Sequence, residues 1–463
     1  MLSKALIEDL ITAALSTGGD FAEIFVEQKR NTTLNLTGGK LDESVAGRDF
    51  GVGIRIFSGL NSVYAYTNEH TRERLLPLAR QAAQAIKGSR QGDLTLNLTT
   101  TPSPGLHVIK ANPFDVDLTR KVAVMRQAYA AARAYSEEIS QATVRYLDED
   151  QQVLIANSEG VYVEDRRVRT RLAITAVASN GSQSQTGFYG PGAHMGFEFF
   201  DTIDVSRYAR EAARTAVTML HADECPSGRF PVIIDNEFGG VIFHEACGHG
   251  LEATSVAKKA SVFADKIGQQ LAPSIVTYID DGTIPNAWGS QNYDDEGALC
   301  RKNVLIENGV LKGYMIDKLN ARRMGMAPTG NSRRQSYKFA PTSRMTNTYI
   351  APGKSTPEEI ISNTEFGIYA KYMGGGSVQP ATGEYNFAIR EGYIVRNGKI
   401  AEPVRGATLI GTGIETLGKV DMVSHNLDHG QGMCGSMSGS IPVNVGQPMI
   451  RVSEITVGGR KGK

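Results

Sequence analysis

The stretch V-I-F-H-E-A-C-G-H-G-L-E, residues 241–252, places a histidine on each side of a glutamate. Imidazole nitrogens such as those of His244 and His249 ligate zinc, and a carboxylate beside them, here Glu245, can accept a proton from metal-activated water. The pattern differs from the H-E-x-x-H zinc motif by one additional residue between the histidines. The apolar run F-P-V-I-I, residues 230–234, precedes the motif and predicts a buried strand that leads into it.

The five-residue spacing of the two histidines constrains the local backbone. In a regular α-helix of roughly 100° per residue, His244 and His249 would point about 140° apart and could not bind one ion without distortion. A single π turn with i→i+5 bonding would bring both onto one face, and Gly248 and Gly250 lower the cost of that distortion. A helix that ends near His249 would also allow both histidines to bind one ion. Two unrelated histidines on an ordinary helix are the alternative.

A third ligand must come from elsewhere, because a catalytic zinc site usually has three protein ligands and one open position. Close to the motif, Glu252 could reach the face of His249, whereas Cys247 is expected to point into the core. More distant candidates carry thiol or imidazole groups: Cys300, Cys434, His425 and His429. Spacing favours Cys434, because the glycine-rich turn G-Q-G-M-C-G-S leaves its thiolate an unhindered approach to a metal. Glu252 comes next.

The motif H-E-A-C-G-H-G-L-E resembles the H-E-x-x-x-H motif of the TldD/PmbA family. Further stretches that resemble this family follow it in the same order: Y-I-D-D-G-T-I-P-N-A-W-G at 278–289, D-D-E-G at 294–297, L-I-E-N-G-V-L-K-G-Y at 305–314, N-A-R-R at 320–323, R-M-T-N-T-Y-I at 344–350, G-G-G at 374–376, C-G at 434–435 and T-V-G-G at 456–459. The resemblance is dense between Phe230 and Gly459 and looser before that. The PmbA-type paralogue lacks the histidine motif, so this chain resembles the catalytic TldD type.

The resemblance implies a zinc metallopeptidase. His244, His249 and Cys434 would then be the zinc ligands, and Glu245 would be the catalytic acid/base. It also implies a PmbA-type paralogue as the partner in a heterodimer, with a homodimer as the alternative. The pair would enclose the site, so that only unfolded peptides or small unfolded proteins enter. We expect such a peptide to bind extended along a sheet edge, with broad specificity.

Two other functions fit the same residues less well. A non-catalytic peptide-binding protein could keep zinc as a structural clip, which requires a fourth protein ligand such as Glu252 or His429. Glu245 argues against this function, because a structural site has no need of a base. A metal-dependent hydrolase of non-peptide bonds is the third hypothesis. Cys434 as a nucleophile, activated by His425 or His429, would leave the histidine motif unexplained.

Charge and cysteine content narrow the class of protein. The 463 residues contain 49 Lys plus Arg and 49 Asp plus Glu, and this zero net charge favours neither nucleic acid nor an anionic membrane as a partner. The four cysteines are too few and too widely spaced for a disulfide framework. The N-terminal M-L-S-K-A-L-I-E-D-L fits a helix better than a secretion signal, and no apolar run is long enough to span a membrane. We therefore expect a cytoplasmic protein.

Periodicity predicts an α+β fold with three domains. Residues 1–110 are expected to form an α-β-α domain with a largely antiparallel sheet, and residues 111–224 a helix, a β-meander and a second helix. Residues 225–463 are expected to form a β-rich catalytic domain, of sandwich or barrel type, that carries the metal-binding helix. Helical spacing predicts helices at 3–16, 71–87, 118–136 and 204–221. Strand patterns occur at 22–27, 32–36, 51–57 and 61–66, with the meander at 142–181 and a loop at Gly88–Pro113.

Three further groups of residues have a structural interpretation and a functional one. The carboxylates of Asp280-Asp281 and Asp294–Glu296 are interpreted as caps of turn amides, with a calcium or magnesium site as the alternative. A basic segment is interpreted as a solvent-exposed face or an interface, with a site for a peptide carboxylate or for single-stranded nucleic acid as alternatives. Its members are Arg322, Arg323, Arg333, Arg334, Lys338 and Arg344. Gly374–Gly376 predicts a tight turn or a backbone that lies close to substrate, because it lacks the lysine and the Ser/Thr of a phosphate-binding P-loop.

Overall fold

The structure is a computed structural model that describes residues 1–86, 88 and 96–460. Residues 89–95 of the predicted loop Gly88–Pro113 lie outside this range, as does residue 87, the last of the predicted helix 71–87. Within the described residues, no helix has the length and apolar character needed to cross a membrane.

The N-terminal half is one eight-stranded sheet with four helices. Its strands, numbered in chain order, are β1 Phe21–Thr37, β2 Lys40–Ser58, β3 Asn61–Thr67, β4 Thr99–Thr100, β5 Ile139–Asn157, β6 Val161–Ser179, β7 Ser184–Tyr189 and β8 Gly192–Ala193. Its helices are α1 Lys4–Ala14, α2 Arg72–Gln84, α3 Leu118–Arg133 and α4 Val205–Leu220. The order β3-β2-β1-β5-β6 is antiparallel throughout. This confirms the four predicted helices and the largely antiparallel sheet.

Strand alternation decides which face of this sheet meets which neighbour. On one face, Ile24 and Leu34 of β1 pack against the helices, α1 and α2 at one end and α3 and α4 at the other. On the opposite face, Phe25 of β1 packs with Tyr293 and Tyr337 from the C-terminal half. The sheet runs through both regions 1–110 and 111–224, so the predicted boundary between them stays a prediction.

Strand β1 continues through the polar residues that separate the two strands predicted at 22–27 and 32–36. Residues 28–31 are polar, which reads as a break in the apolar pattern. The backbone nevertheless pairs with β2 along its full length and with β5 from Glu23 to Thr37. Lys29 forms an ion pair with Glu149 of β5 at 3.1 Å, so a charge pair replaces the expected apolar contact.

The C-terminal half contains the remaining strands and five short helices. The strands are β9 Asp223–Glu224, β10 Gly228–Ile234, β11 Tyr278–Asp281, β12 Lys302–Glu307, β13 Val310–Leu311, β14 Ser332–Arg333, β15 Thr342–Ser343, β16 Asn347–Ile350, β17 Phe366–Gln379, β18 Glu384–Arg396, β19 Lys399–Arg405, β20 Thr408–Thr412, β21 Val420–Val423, β22 Asp428–Ser436, β23 Gly439–Gln447 and β24 Ile450–Gly458. The helices are α5 Val241–Phe243, α6 Ala253–Val256, α7 Lys318–Met324, α8 Pro357–Ser362 and α9 Gly413–Gly418.

Two sheets in this half position the histidine motif. In the first, β17 pairs with β10 and also with β18, so that the path β17-β10-β24-β20-β18 closes on itself as a five-stranded barrel. This resolves the choice between sandwich and barrel. The second is a six-stranded sheet of order β13-β12-β11-β16-β23-β22, whose outermost strand β22 carries Cys434. The motif lies between them, because β10 ends just before it and β22 reaches it from the side.

Candidate metal centre

The two histidines lie on a helix that changes its winding. A 3₁₀ turn, Glu237–Gly240, leads from β10 into α5, and residues His244–Gly248 then form a π turn followed by a 3₁₀ turn at His249–Leu251. The π turn predicted from the five-residue spacing is therefore confirmed. A side chain at its last position would force a shift, because a Cβ added to Gly248 would lie 2.1 Å from Sδ of the buried Met345.

The π turn brings both imidazoles to one cysteine. Nε2 of His244 and Nε2 of His249 each lie 3.4 Å from Sγ of Cys434. The three candidate ligand atoms all lie within 4.8 Å of one another. His244 and Cys434 are almost fully buried, at 2% and 5% exposure, whereas His249 is only half-buried. The cluster therefore has a closed side and a more open side.

The second ring nitrogen of each histidine is held by a partner of its own. Nδ1 of His244 is 3.2 Å from Oγ1 of Thr348 in β16, and Nδ1 of His249 is 3.1 Å from Oε2 of Glu252. Such contacts fix the orientation of a metal-binding imidazole and direct its other nitrogen to the site. Glu252, the second candidate for a third ligand, therefore contacts the nitrogen of His249 that faces away from Cys434.

Glu245 lies on the more open side of the cluster. Its Oε2 is 3.5 Å from Nε2 of His249, and its side chain is half-buried. A carboxylate next to a candidate ligand atom and within reach of solvent can bind water and exchange a proton with it.

Charges inside the cluster favour the thiolate. Burial alone raises the pKa of a thiol, but at Cys434 the imidazoles of His244 and His249 outweigh it and hold the pKa well below its usual range. Burial alone lowers the pKa of His249, but the carboxylate of Glu252 and the sulfur of Cys434 hold it well above its usual range. The thiolate is the form of cysteine that binds metals.

The other candidate ligands lie apart from the cluster. Cys247 is buried and faces the carbonyl of Gly413, and burial raises the pKa of its thiol. His425 contacts the carbonyl of Ser355, and His429 packs edge-on against Tyr349. Cys300 is buried beside Gly282, where burial holds its pKa well above the usual range. Among the described residues, no second group of three such ligands comes together.

Arg344 is a residue at the site that the sequence did not single out for a role there. Its side chain is fully buried, and its guanidinium donates to the carbonyl of Cys434 at 2.6 Å and to Oγ of Ser438 at 2.9 Å. Arg344 thereby fixes the hairpin that carries Cys434. The only sequence signal was the resembling stretch R-M-T-N-T, residues 344–348, which also contains the partner of His244.

Of the two structural interpretations of the basic segment, the solvent-exposed face is wrong for its central arginines, and a buried contact between the two halves of the chain fits Arg334. Arg333 and Arg334 are almost fully buried, at 1% and 4% exposure, like Arg344. Their guanidinium groups donate hydrogen bonds to backbone carbonyls or to side chains that are distant in the sequence. Nη2 of Arg334, for example, donates to Oε1 of Glu23 at 2.5 Å.

Of the acidic residues predicted to cap turn amides, Asp294 does so and Asp280 has a different role. Asp294 accepts hydrogen bonds from the backbone amides of Glu296 and Ala298 at 3.0 Å each, which confirms the capping interpretation. Asp280 lies in strand β11 and not in a turn, and it accepts from the backbone N–H and Oγ1 of Thr346 at 2.7 and 2.8 Å. Asp280 thereby fixes the start of β16. Gly374–Gly376 lies within strand β17, so the predicted tight turn is wrong there.

Comparisons with known proteins cover almost the whole chain. Three domain models of the PmbA/TldA metallopeptidases match: domain 1 at residues 22–86, the central domain at 111–220 and the C-terminal domain at 227–459. A protein of Haemophilus influenzae named "Metalloprotease TldD homolog" is 37% identical over 452 residues, which are 95% of this chain and 93% of that protein. A "Zinc metalloprotease TldD homolog" of Saccharolobus solfataricus is 27% identical over 97% of this chain and 99% of its own.

Solved structures show the same fold. TldE from Thermococcus kodakarensis superposes with a TM-score of 0.78 at 19% identity, covering 98% of this chain and 100% of its own. A protein of Thermotoga maritima gives a TM-score of 0.81 at 22% identity with the same coverage. At sequence identities this low, the superpositions establish only that the fold is shared. This chain belongs to the PmbA/TldD family of metallopeptidases, because it matches all three domain models and has relatives above 30% identity along almost its whole length.

Proposed function

We propose that this chain hydrolyses peptide bonds in unfolded peptides or small unfolded proteins, with zinc held by His244, His249 and Cys434 and with Glu245 as the general acid/base. One observation carries the proposal. The π turn directs both imidazole Nε2 atoms to within 3.4 Å of Cys434 Sγ, and it leaves the carboxylate of Glu245 3.5 Å from one of them.

The donor set fits zinc. Two imidazoles and a thiolate are nitrogen and sulfur ligands that zinc takes in catalytic sites with three protein ligands. Tetrahedral zinc with usual bond lengths separates a nitrogen from a sulfur ligand by about 3.6 Å, close to the 3.4 Å between each Nε2 and Sγ of Cys434. Thr348 and Glu252 supply the outer contacts that such histidines require.

The roles of this chain's residues follow from their positions. Zinc, when bound, supplies a Lewis acid that polarises a carbonyl group and makes water more acidic. Glu245 accepts the proton of the attacking water and delivers it to the nitrogen of the departing amine. Glu252 and Thr348 hold the two imidazoles in position, and Arg344 holds the strand of Cys434.

Strand β22 offers the edge along which an extended peptide can add. Within the residues that the structure describes it pairs only with β23, and no described strand lies along its other edge. Part of its backbone is already bound, because Gln431 O accepts from Arg171 at 3.0 Å, Gly432 O from Nε1 of Trp288 at 2.9 Å and Cys434 O from Arg344 at 2.6 Å. Adjacent residues of a strand present their backbone groups to opposite edges, so we infer that the peptide pairs with Met433 and Gly435, the residues on either side of Cys434. Backbone pairing is tolerant of sequence, and this supports broad specificity.

A PmbA-type paralogue as partner is part of the proposal, and a second copy of this chain is the alternative. The family assignment and the fold shared with TldE support it. A cytoplasmic location is proposed on the four unbridged cysteines, since a thiolate ligand such as Cys434 must stay reduced.

The variant Glu245→Gln tests this function directly. It should keep zinc, because the three proposed ligands remain, and lose turnover of an unfolded peptide by about a hundredfold or more. Glu137→Gln, at an exposed glutamate on the surface, is the matched control. Full turnover by Glu245→Gln with zinc retained would remove Glu245 from the mechanism. Tight zinc binding without hydrolysis of any peptide, even with the paralogue added, would favour the structural zinc site.

A further inference from the structure

A cavity of about 550 Å³ lies between the N-terminal sheet and the hairpin of β22 and β23. Strands β1, β5 and β6 form one wall, and Trp288, Met433, Ile441 and Pro442 form the opposite one. We call it the arginine cavity, after the six arginines on its lining. It shares no lining residue with the cluster of His244, His249 and Cys434.

The arginine cavity adjoins the strand that carries Cys434. Adjacent residues of a strand point to opposite faces, so Met433 faces this cavity while Cys434 faces the histidines. Two side chains of the cavity also hold the backbone of this strand. They are Trp288, bound to the carbonyl of Gly432, and Arg171, bound to the carbonyl of Gln431. A peptide lying along β22 would therefore pass the mouth of the cavity.

Positive charge exceeds negative charge on the lining. The cationic residues are Lys29, Arg145, Arg167, Arg169, Arg171, Arg333 and Arg334. The acidic residues are Asp148 and Glu149. Both carboxylates are already paired. Glu149 lies 3.1 Å from Lys29 and 3.2 Å from Arg169, and Asp148 lies 2.6 Å from Lys121.

Three of the arginines, Arg145, Arg171 and Arg333, form no ion pair with any residue that the structure describes. Arg333 is 1% exposed, and its Nη1 donates to the carbonyl of Met345 at 2.6 Å. Burial together with the charge of Arg169 lowers the pKa of Arg333 to about 9. The charge of Asp295 offsets the cost of burying this guanidinium only in part, so an anion that entered the cavity would lower the cost further.

We propose that the arginine cavity binds a carboxylate of the peptide substrate. Guanidinium groups match the planar geometry of a carboxylate, and the apolar walls of Leu147, Phe188 and Trp288 can pack against the aliphatic part of the same residue. The carboxylate belongs either to an acidic side chain or to the peptide's C-terminus. This inference rests on the proposed peptidase function and adds a preference for acidic peptides to it.

Trp288 provides a direct measurement of occupancy, since it is the only tryptophan of the chain and lines the cavity. The zinc-loaded variant Glu245→Gln should bind peptides without cleaving them. We would titrate it with a short unstructured peptide that contains one Glu and with the same peptide containing Gln, each with a free and with an amidated C-terminus. The Glu peptide should bind at least about tenfold more tightly, as one charge-assisted hydrogen bond predicts, and should change the Trp288 fluorescence. If the terminal carboxylate is the ligand, amidation of the C-terminus, and not the change from Glu to Gln, will weaken binding by this factor.

Arg145→Gln in the same background should remove most of the preference, because Arg145 is exposed, unpaired and on the lining. Arg126→Gln, at an exposed arginine away from the cavity, should leave it unchanged. Equal affinity for the acidic, neutral and amidated peptides would overturn the proposal, as would an equal loss in both variants. So would a change of oligomeric state in Arg145→Gln without any peptide effect, which would assign the cavity to a second chain.

The two proposals fail in different ways. If Trp288 discriminates among the peptides but the wild type cleaves none of them, with or without the paralogue, the peptidase function fails and the carboxylate site stands. If the wild type cleaves all of them at the same rate and Trp288 does not discriminate, the peptidase function stands and the carboxylate site fails.

Discussion

Oε2 of Glu252 lies 3.1 Å from Nδ1 of His249, on the side of the ring that faces away from Cys434. The contact turns Nε2 of His249 toward the sulfur. It bears on the question, left open by the sequence, of whether Glu252 or Cys434 is the third candidate ligand. Glu252 is positioned to orient a candidate ligand, whereas the thiol of Cys434 lies 3.4 Å from Nε2 of each histidine.

Glu252→Ala should weaken zinc binding without abolishing it. The loss of an outer carboxylate on a ligating histidine costs about 10- to 100-fold in metal affinity. Competition with a chromophoric chelator would measure this, with the surface variant Glu137→Ala as control. A complete loss of zinc, equal to that of His249→Ala, would show that Glu252 is itself a ligand.

Cys434→Ala should lose both zinc and peptidase activity, because Cys434 is the proposed third ligand. Cys300→Ala is the matched control, since Cys300 is also a buried free cysteine but lies apart from the histidines. Metal analysis of the purified variants, together with turnover of an unfolded peptide, would decide. If Cys434→Ala keeps its zinc, the ligand set proposed for this chain is wrong.

The local geometry of the site could be predicted from the sequence because it depends on near neighbours. A five-residue spacing between His244 and His249, with glycine at 248, leaves the backbone few ways to bring two imidazoles together, and the π turn is one of them. The resemblance to a known family supplied Cys434, which spacing alone only favoured. The four N-terminal helices followed from 3.6-residue periodicity in the same local way.

Contacts between distant parts of the chain could not be predicted in this way. Arg334 and Glu23 are 311 positions apart, yet they form a buried ion pair. No local pattern distinguishes such an arginine from one on a solvent-exposed face, because its partner is known only once both halves of the chain have packed together. The closed barrel likewise depends on β17 pairing with both β10 and β18, which are separated by 149 residues between Ile234 and Glu384.

Gly248→Ala should disrupt the π turn. The added Cβ would lie 2.1 Å from Sδ of Met345, which is fully buried. Overpacking of this kind costs about 1–3 kcal/mol of stability, and the shift of His249 should weaken zinc binding as well. Thermal unfolding and metal analysis would measure the two effects. Gly313→Ala is the control, because the structure describes no atom within 4 Å of its added Cβ. The double variant Gly248→Ala/Met345→Ala should recover zinc binding in part, and no recovery would mean that the steric explanation is wrong.

Glu237, which precedes helix α5 and the histidine motif, should make the stability of the protein depend on pH. Burial, together with the nearby charge of Asp428, raises the pKa of Glu237 from 4.5 to about 7. The folded protein therefore keeps a proton that the unfolded chain releases, so this contribution is complete below about pH 4.5 and is lost as the pH rises through about 7. Between pH 5 and pH 8, wild type should lose about 1–3 kcal/mol more unfolding free energy than Glu237→Gln, which cannot ionise. Denaturant titrations of both proteins at the two pH values would test this, with the surface variant Glu137→Gln as control. Parallel pH profiles for wild type and Glu237→Gln would show that Glu237 ionises as freely in the folded protein as in the unfolded chain.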